Sequence, residues 1–274
     1  MEVEYKFLYP GKLNMEVTME IIDSLKKKED IITSDIVYQN IITKYLDSRS
    51  GTLRKDNIAV RERYEKNFVV ADEMDFQSML KNFSAGHFAP DDRLNKQWIH
   101  KLSFKWGGSA MGGLHERREV EIDLGDMSPN FDLLDTSLYQ KFQNAEKEGL
   151  VNLFNTVIDR ITLYLKHGRS FIELSVDNGF LVRDEELQDE SDKKICKLVG
   201  VESGEVLSGI WDSRPDIQRI ASHIPDSHSI SEVEIELKEG DKADLKDVAD
   251  FLAEKFDLIP NDISKYQRGV ELYF

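Results

Sequence analysis

The chain has 274 residues, 40% of them apolar, and 52 Asp+Glu against 36 Lys+Arg, a formal net charge of −16. That apolar share excludes wholesale disorder, and the acidic balance excludes coating of a long nucleic acid, whose phosphates the mean field repels. A single cysteine, Cys196, excludes an internal disulfide framework and a cysteine-built metal site.

Residues 2–9 open as a strand with Glu2, Glu4 and Lys6 on one face and Val3, Tyr5 and Phe7 on the other. Residues 14–28 read as a helix, with Met15, Met19, Ile22 and Leu25 at helical spacing and Lys26-Lys27-Lys28 at its C-terminus. Residues 36–46 are β-branched and aromatic and run into a turn at Asp47–Gly51. Period-two alternation then recurs at 57–65, 98–106, 115–124, 156–166, 169–182 and 229–238. Helices are expected at 131–147 and at 242–256, where Leu245, Val248, Ala249, Leu252, Ala253 and Phe256 form a stripe behind Asp241 as N-cap. Segments 66–97 and 184–228 have no clean period and read as insertions. No compositional break forces a second domain, so residues 1–274 are expected to form one. The sum is an antiparallel sheet or barrel with helices beside it. No apolar run approaches the ~20 residues of a membrane helix. The acidic start Met1-Glu2-Val3-Glu4 is unlike a secretory signal, so no membrane association and a cytoplasmic location are expected.

The polar faces of these strands carry organised charge. Besides Glu2, Glu4 and Lys6, one face carries Ala59, Arg61, Arg63 and Glu65, another Lys101 and Lys105, and another Arg117, Glu119 and Glu121. Glu173, Ser175 and Asp177 form a further set, as do Glu232, Glu234 and Glu236. Any one such set is ordinarily a solvated face with cross-strand pairs. Collectively, three glutamates at i, i+2 and i+4 repel one another unless a cation lies among them. Carboxylate oxygens without His or Cys select hard divalent ions. Arg and Lys beside them suit phosphate oxygens. Together these describe a site for a metal–polyphosphate complex.

At these residues the sequence resembles the CYTH, or triphosphate tunnel metalloenzyme, superfamily. Glu2-Val3-Glu4-Tyr5-Lys6 is similar to its ExExK motif. Tyr45-Leu46-Asp47-Ser48, Leu53-Arg54 and the stretch ending in Arg61 and Arg63 follow in its order, then Leu102-Ser103-Phe104-Lys105, Arg117-x-Glu119-x-Glu121 and Asp159-Arg160. Ile172–Asp177, Glu232-x-Glu234-x-Glu236 and Ser264-Lys265-x-x-Arg268-Gly269 complete the series. The resemblance implies an α+β fold, an eight-stranded antiparallel β-barrel forming a tunnel with helices packed on the outside. It implies a metal-dependent triphosphatase using Mg²⁺ or Mn²⁺, with Glu2, Glu4, Asp177, Glu232, Glu234 and Glu236 as candidate ligands. Which two of the three late glutamates bind directly is left open. Lys6, Arg61, Arg63, Lys105, Arg160 and Lys265 would bind the triphosphate, with Lys6, Arg63 and Arg160 stabilising charge during reaction. Glu119, Glu121 and Glu173 would orient those bases or position water.

The expected substrate is inorganic triphosphate, a small-molecule partner, since no base-recognition element is evident. Alternatives are a thiamine or nucleoside triphosphatase, a class IV adenylate cyclase, or a non-catalytic polyphosphate- or nucleotide-binding module. Gly107–Gly113 lacks the Gly-Lys-Ser/Thr ending of a phosphate loop and reads as a hairpin connection. The six histidines have no ligand spacing and read as surface or packing residues. Cys196 has no positioned base and is not expected to act as a nucleophile.

Overall fold

The computed structural model describes residues 1–11, 13–70, 99–125, 129–183 and 225–274. In chain order these form β1 (Glu2–Leu8), α1 (Met15–Lys26), β2 (Ile31–Ser48), α2 (Thr52–Lys55), β3 (Ile58–Val70), β4 (Ile99–Met111) and β5 (Leu114–Asp123). Then come α3 (Thr136–Glu148), β6 (Leu150–His167), β7 (Ser170–Val182), β8 (Ser229–Glu239), α4 (Lys242–Phe256), the two-residue β9 (Ile259–Pro260) and α5 (Lys265–Tyr273). The strands run in the order β5-β4-β3-β2-β6-β7-β8-β1, and β1 pairs back onto β5. All these pairings are antiparallel, giving a closed eight-stranded barrel with helices packed outside it. β9 adds to the end of β1.

Alternation along each strand explains the architecture. Charged side chains take the inner face and apolar ones the outer face, so the hydrophobic core lies between barrel and helices. Over β1, β6, β7 and β8, α1 and α4 bury Ile21, Ile22, Leu25, Leu245, Val248 and Leu252 against Leu163, Leu174, Val233 and Ile235. Each such side chain is worth roughly 1.5–3 kcal/mol when fully buried. Asn14 caps α1 by accepting from Val17 N at 3.0 Å, and Asp241 caps α4 by accepting from Ala243 N at 2.8 Å. Against β3, β4 and β5, α3 packs Leu138, Phe142 and Ala145 on Val60, Leu102 and Phe104.

α5 does something different. Its Tyr266, Val270 and Tyr273 pack on Ile41, Tyr45, Phe154 and Ile158. The alternation of β2 and β6 sends these four into the barrel, so the helix closes one end of it. Gly269 lies against Phe154, and a Cβ there would fall 2.2 Å from Phe154 Cζ. A capping box starts the helix: Ser264 Oγ accepts from Gln267 N at 3.2 Å, and Gln267 Oε1 accepts from Ser264 N at 2.9 Å.

Several boundaries differ from the sequence reading. Residues 66–70, expected to be irregular, continue β3, pairing with 36–40 of β2. β4 runs on through Gly107-Gly108 with a bulge between Trp106 and Ser109, and the turn is confined to Gly112-Gly113. Residues 226–228, at the end of the other expected insertion, form a short 3-10 turn. Residues 71–97 and 184–224, with Cys196, His87 and His223, lie outside the described residues. Of the other histidines, His115, His167 and His228 are buried packing residues, and His100 stacks on Tyr64 with ring centroids 4.1 Å apart. Among the described residues no helix is long and apolar enough to cross a membrane.

Candidate functional site: a tunnel of paired acids and bases

The inner faces of the eight strands enclose a cavity of about 510 Å³. Nine basic and eight acidic side chains line it, so the interior of a strongly acidic protein is itself balanced. All six expected phosphate-binding residues, Lys6, Arg61, Arg63, Lys105, Arg160 and Lys265, line this one space. So do Glu2, Glu4, Glu234 and Glu236. Asp177 and Glu232 do not: they are 0% and 1% exposed, packed behind Arg160 and Lys265.

The end closed by α5 is a floor of shared ion pairs. Lys265 Nζ lies 2.9 Å from Asp177 Oδ2, 2.6 Å from Glu232 Oε2 and 2.7 Å from Glu234 Oε1. Arg160 grips Asp177 bidentately, at 2.6 and 2.8 Å, and reaches Glu234 Oε2 at 2.7 Å. Lys6 completes the group by pairing with Glu234 and lying 3.2 Å from Glu4 Oε2. Buried charge survives only when so paired. Burial alone would raise the Asp177 and Glu234 carboxyls, but Arg160 and Lys265 together, with Lys6 at Glu234, outweigh it and hold both below the usual carboxylate range. Burial likewise opposes the charge on Lys265, and Asp177, Glu232 and Glu234 more than offset it, holding its pKa above the ordinary lysine value. Asp177 and Glu232 therefore anchor the bases of the floor.

The β3–β4–β5 wall is built the same way. Arg117 donates from Nε to Glu2 at 2.7 Å and from Nη2 to Glu4 at 2.6 Å. Lys105 lies 2.6 Å from Glu2 and 3.1 Å from Glu119. Burial, then Arg61 and Arg117, push the Lys105 ammonium below its ordinary value despite these partners. Arg61 reaches Glu119 at 3.0 Å, and Arg63 reaches Glu65 at 3.3 Å. Both guanidinium groups keep a buried Nε–H without a hydrogen-bond partner. A buried donor left unmatched is costly and marks a place where an acceptor is wanted.

Glu236 carries the opposite signal. It stands directly across from Glu4 in the β1–β8 register and across from Glu173 in β7–β8. Burial, with repulsion from Glu173 and Glu2, pushes its carboxyl up to about 6, although Lys238 pairs with it at 2.8 Å. Facing Cβ atoms in such pairs are ~5 Å apart, and Glu2 lies two residues along the same face. The donor set is carboxylate oxygen throughout, which suits Mg²⁺ or Mn²⁺. Among the described residues no three ligands converge as a ready-made cage, because Arg117, Lys6 and Lys238 already hold these acids.

Arg117 and Lys238 received no role from the sequence, although both sit on the charged faces. Lys238 continues the i, i+2 series of Glu232, Glu234 and Glu236, and that spacing was the available signal. Tyr45, Tyr164 and Tyr266 also line the cavity, and only the closed barrel and α5 bring them together.

No family model matches the chain, and no curated protein matches it significantly. Solved structures do resemble it. A Hippeastrum protein assigned as an adenylyl cyclase, with a dominant triphosphatase activity, aligns over 100% of this chain and 97% of its own at 12% identity and a TM-score of 0.46. The PH1819 protein of Pyrococcus horikoshii OT3 aligns over 99% of both chains at 13% identity and a TM-score of 0.45. The RNA triphosphatase domain of a mimivirus mRNA capping enzyme aligns over 93% of this chain and 88% of its own, at 11% identity and a TM-score of 0.33. Proteins described as an adenylyl cyclase and as an RNA triphosphatase are thus among the structures similar to this chain. At such identities and scores the likeness assigns no activity, and the functional reading stands on the tunnel's own residues.

Proposed function

We propose that the chain is a divalent-metal-dependent hydrolase that removes the terminal phosphate of inorganic triphosphate, releasing phosphate and pyrophosphate. The observation that carries this reading is the pair of buried, unpartnered Nε–H groups of Arg61 and Arg63 in a cavity lined by seven further Lys and Arg side chains. An elongated polyanion supplies acceptors for all of them along one path. Lys6, Arg160 and Lys265 at the floor would receive one end, and Arg61, Arg63 and Lys105 its flank. Bidentate guanidinium contacts fix the phosphoryl groups, and the same positive charge stabilises the leaving and equatorial oxygens as the bond to the terminal phosphorus breaks. Attack by water in line with that bond completes the hydrolysis. Glu2, Glu4, Glu234 and Glu236 would hold the metal, which supplies neutralisation of the phosphate oxygens when bound.

Exchange of partners makes this consistent with a tunnel whose charges are already matched. The triphosphate takes over the bases, and the acids those bases release become available to the cation. Phosphate release from triphosphate, ATP and thiamine triphosphate, with Mg²⁺ or Mn²⁺, tests the reading in wild type and Glu4→Gln. The expected result is release from triphosphate that needs the metal and collapses in Glu4→Gln. No release from any of the three, with intact binding, makes the chain a binding module, and cyclic AMP formed from ATP makes it a cyclase.

A further inference from the structure

Four polar atoms of side chains lining the tunnel are buried without a hydrogen-bond partner: Nε of Arg61 and of Arg63, Oγ1 of Thr156 and Oη of Tyr266. The two arginines belong to the basic wall. The two hydroxyls stand at the end that α5 closes. Tyr266 follows Lys265 in the first turn of α5, and its ring packs on Tyr45 and Phe154, with centroids 5.6 and 6.4 Å apart. Thr156 lies two residues along β6 from Phe154, on the same inner face. It pairs across to Thr43 of β2, and Thr43 to Arg63 of β3. One row of the wall therefore runs Arg63, Thr43, Thr156, and Tyr266 overlooks it from the helix.

The fold asks for neither hydroxyl. Thr156 is 1% exposed, and valine would fill its place in a strand as well. Phenylalanine would pack on Tyr45 and Phe154 as tyrosine does. A buried hydroxyl without a partner is costly, so both are carried against stability. Burial, with the Asp47 carboxylate near it, pushes the Tyr266 phenol above its ordinary value, so it keeps its proton and donates. Each base of the floor must leave an acid to take an anion, whereas these two hydroxyls have no acid to leave.

We propose that Thr156 Oγ1 and Tyr266 Oη bind substrate, forming beside Lys265 and Arg63 a seat for the phosphoryl group at the inner end of the polyphosphate chain. The inference rests on the triphosphate reading of the tunnel and adds a chain-end selector to it. An end phosphoryl offers three free oxygens and one inside the chain only two. Two neutral donors added to the cations are therefore matched by a chain end and left short by a chain middle.

Rapid filter binding of labelled tripolyphosphate and of labelled cyclic trimetaphosphate, a ring of the same three phosphates without an end, tests this with magnesium present. Wild type is compared with Thr156→Val, Thr156→Ser and Tyr266→Phe, beside thermal melts without ligand. The expected result is tripolyphosphate binding weakened roughly 2- to 12-fold in Thr156→Val and in Tyr266→Phe, the scale of one neutral hydrogen bond. Thr156→Ser, which keeps the hydroxyl, restores it. Neither weakened variant melts below wild type, and none binds the ring differently from wild type. Unchanged tripolyphosphate affinity in Thr156→Val or in Tyr266→Phe overturns the seat. So does a loss shared equally by the ring, or one that follows a fall in Tm. Failure of wild type to bind tripolyphosphate overturns the tunnel reading and the seat with it.

Discussion

Arg117 Nη2 lies 2.6 Å from Glu4 Oε1, and the same guanidinium holds Glu2 through Nε at 2.7 Å. One side chain of β5 thus fastens both acids of β1, the two that the proposed function gives to the metal. Removing it leaves two buried carboxylates short of a countercharge, and breaking a buried pair typically costs about 3–5 kcal/mol. Arg117→Gln should therefore unfold at lower temperature in EDTA. Mg²⁺ or Mn²⁺ should raise the Tm of this variant more than that of wild type, since the ion then replaces the missing charge. An equal response to metal in both proteins removes Glu2 and Glu4 from the ligand set.

Arg63 offers a separation of binding from folding. Its buried Nε–H has no partner, and the acid it pairs with, Glu65, also has Lys101 at 3.6 Å. Arg63→Ala should cost little stability. It should weaken tripolyphosphate binding by roughly 10- to 100-fold, the worth of a charged hydrogen bond of about 1.5–3 kcal/mol. Calorimetric titration beside a thermal melt checks both halves, and intact affinity would take Arg63 out of the cradle.

Glu236 gives a pH signature with a definite sign. Its folded carboxyl is raised to about 6, above the ~4.3 of an unfolded glutamate. The folded state then holds the extra proton between those values, so stability falls as pH rises through that window and stays lower above it. Glu236→Gln removes the penalty. In metal-free buffer it should gain at most about 2 kcal/mol above pH 7, and only a few tenths near pH 4. Glu121 works in the other direction. Arg61, Arg63 and Lys101 overcome burial and bring its carboxyl down to about 2, so its contribution is present above pH ~4 and lost as pH falls toward 2. Denaturant melts from pH 3 to 8 separate the two, and a pH-independent gain in Glu236→Gln refutes the burial argument.

The closure made by α5 has its own test. A methyl added at Gly269 meets the Phe154 ring at 2.2 Å, and overpacking of this kind costs about 1–3 kcal/mol. Gly269→Ala should lower Tm and shift Lys265 relative to Glu232 and Glu234, so triphosphate affinity should fall with stability. Unchanged melting would mean the helix is free to move off the barrel end.

Period-two alternation made an antiparallel sheet or barrel legible and marked its charged faces, and the resemblance implied that those faces line a closed lumen. Pairing was not legible. Glu232, Glu234 and Glu236 are equivalent in spacing, yet register puts the first under Lys265 and Arg268, the second among Lys6, Arg160 and Lys265, and the third beside Lys238. Local sequence holds no record of a partner that arrives from another strand. α2 escaped notice for the same reason: it starts at Gly51, and the Asp47 carboxylate of β2 accepts from Leu53 N and Arg54 N in its first turn, at 2.9 and 3.1 Å. α5 was missed although Tyr266, Val270 and Tyr273 keep helical spacing, because Gly269 in its middle reads as a breaker. The end of β3 was missed because Lys66-Asn67-Phe68-Val69-Val70 does not alternate.

β1 lies between β5 and β8, and this placement orders the assembly of the molecule. Glu2, Glu4 and Lys6 gain one neighbour when β5 is made, but the other, β8, is synthesised more than two hundred residues after them. Such distant pairing is slow to form. A growing chain can build the meander from β2 to β5 and set β1 on its edge while the other side of β1 stays open. Completion of the proposed site and closure of the barrel seam are one event, and a nascent chain stalled before β8 would carry most of the strands and an open, unfinished tunnel.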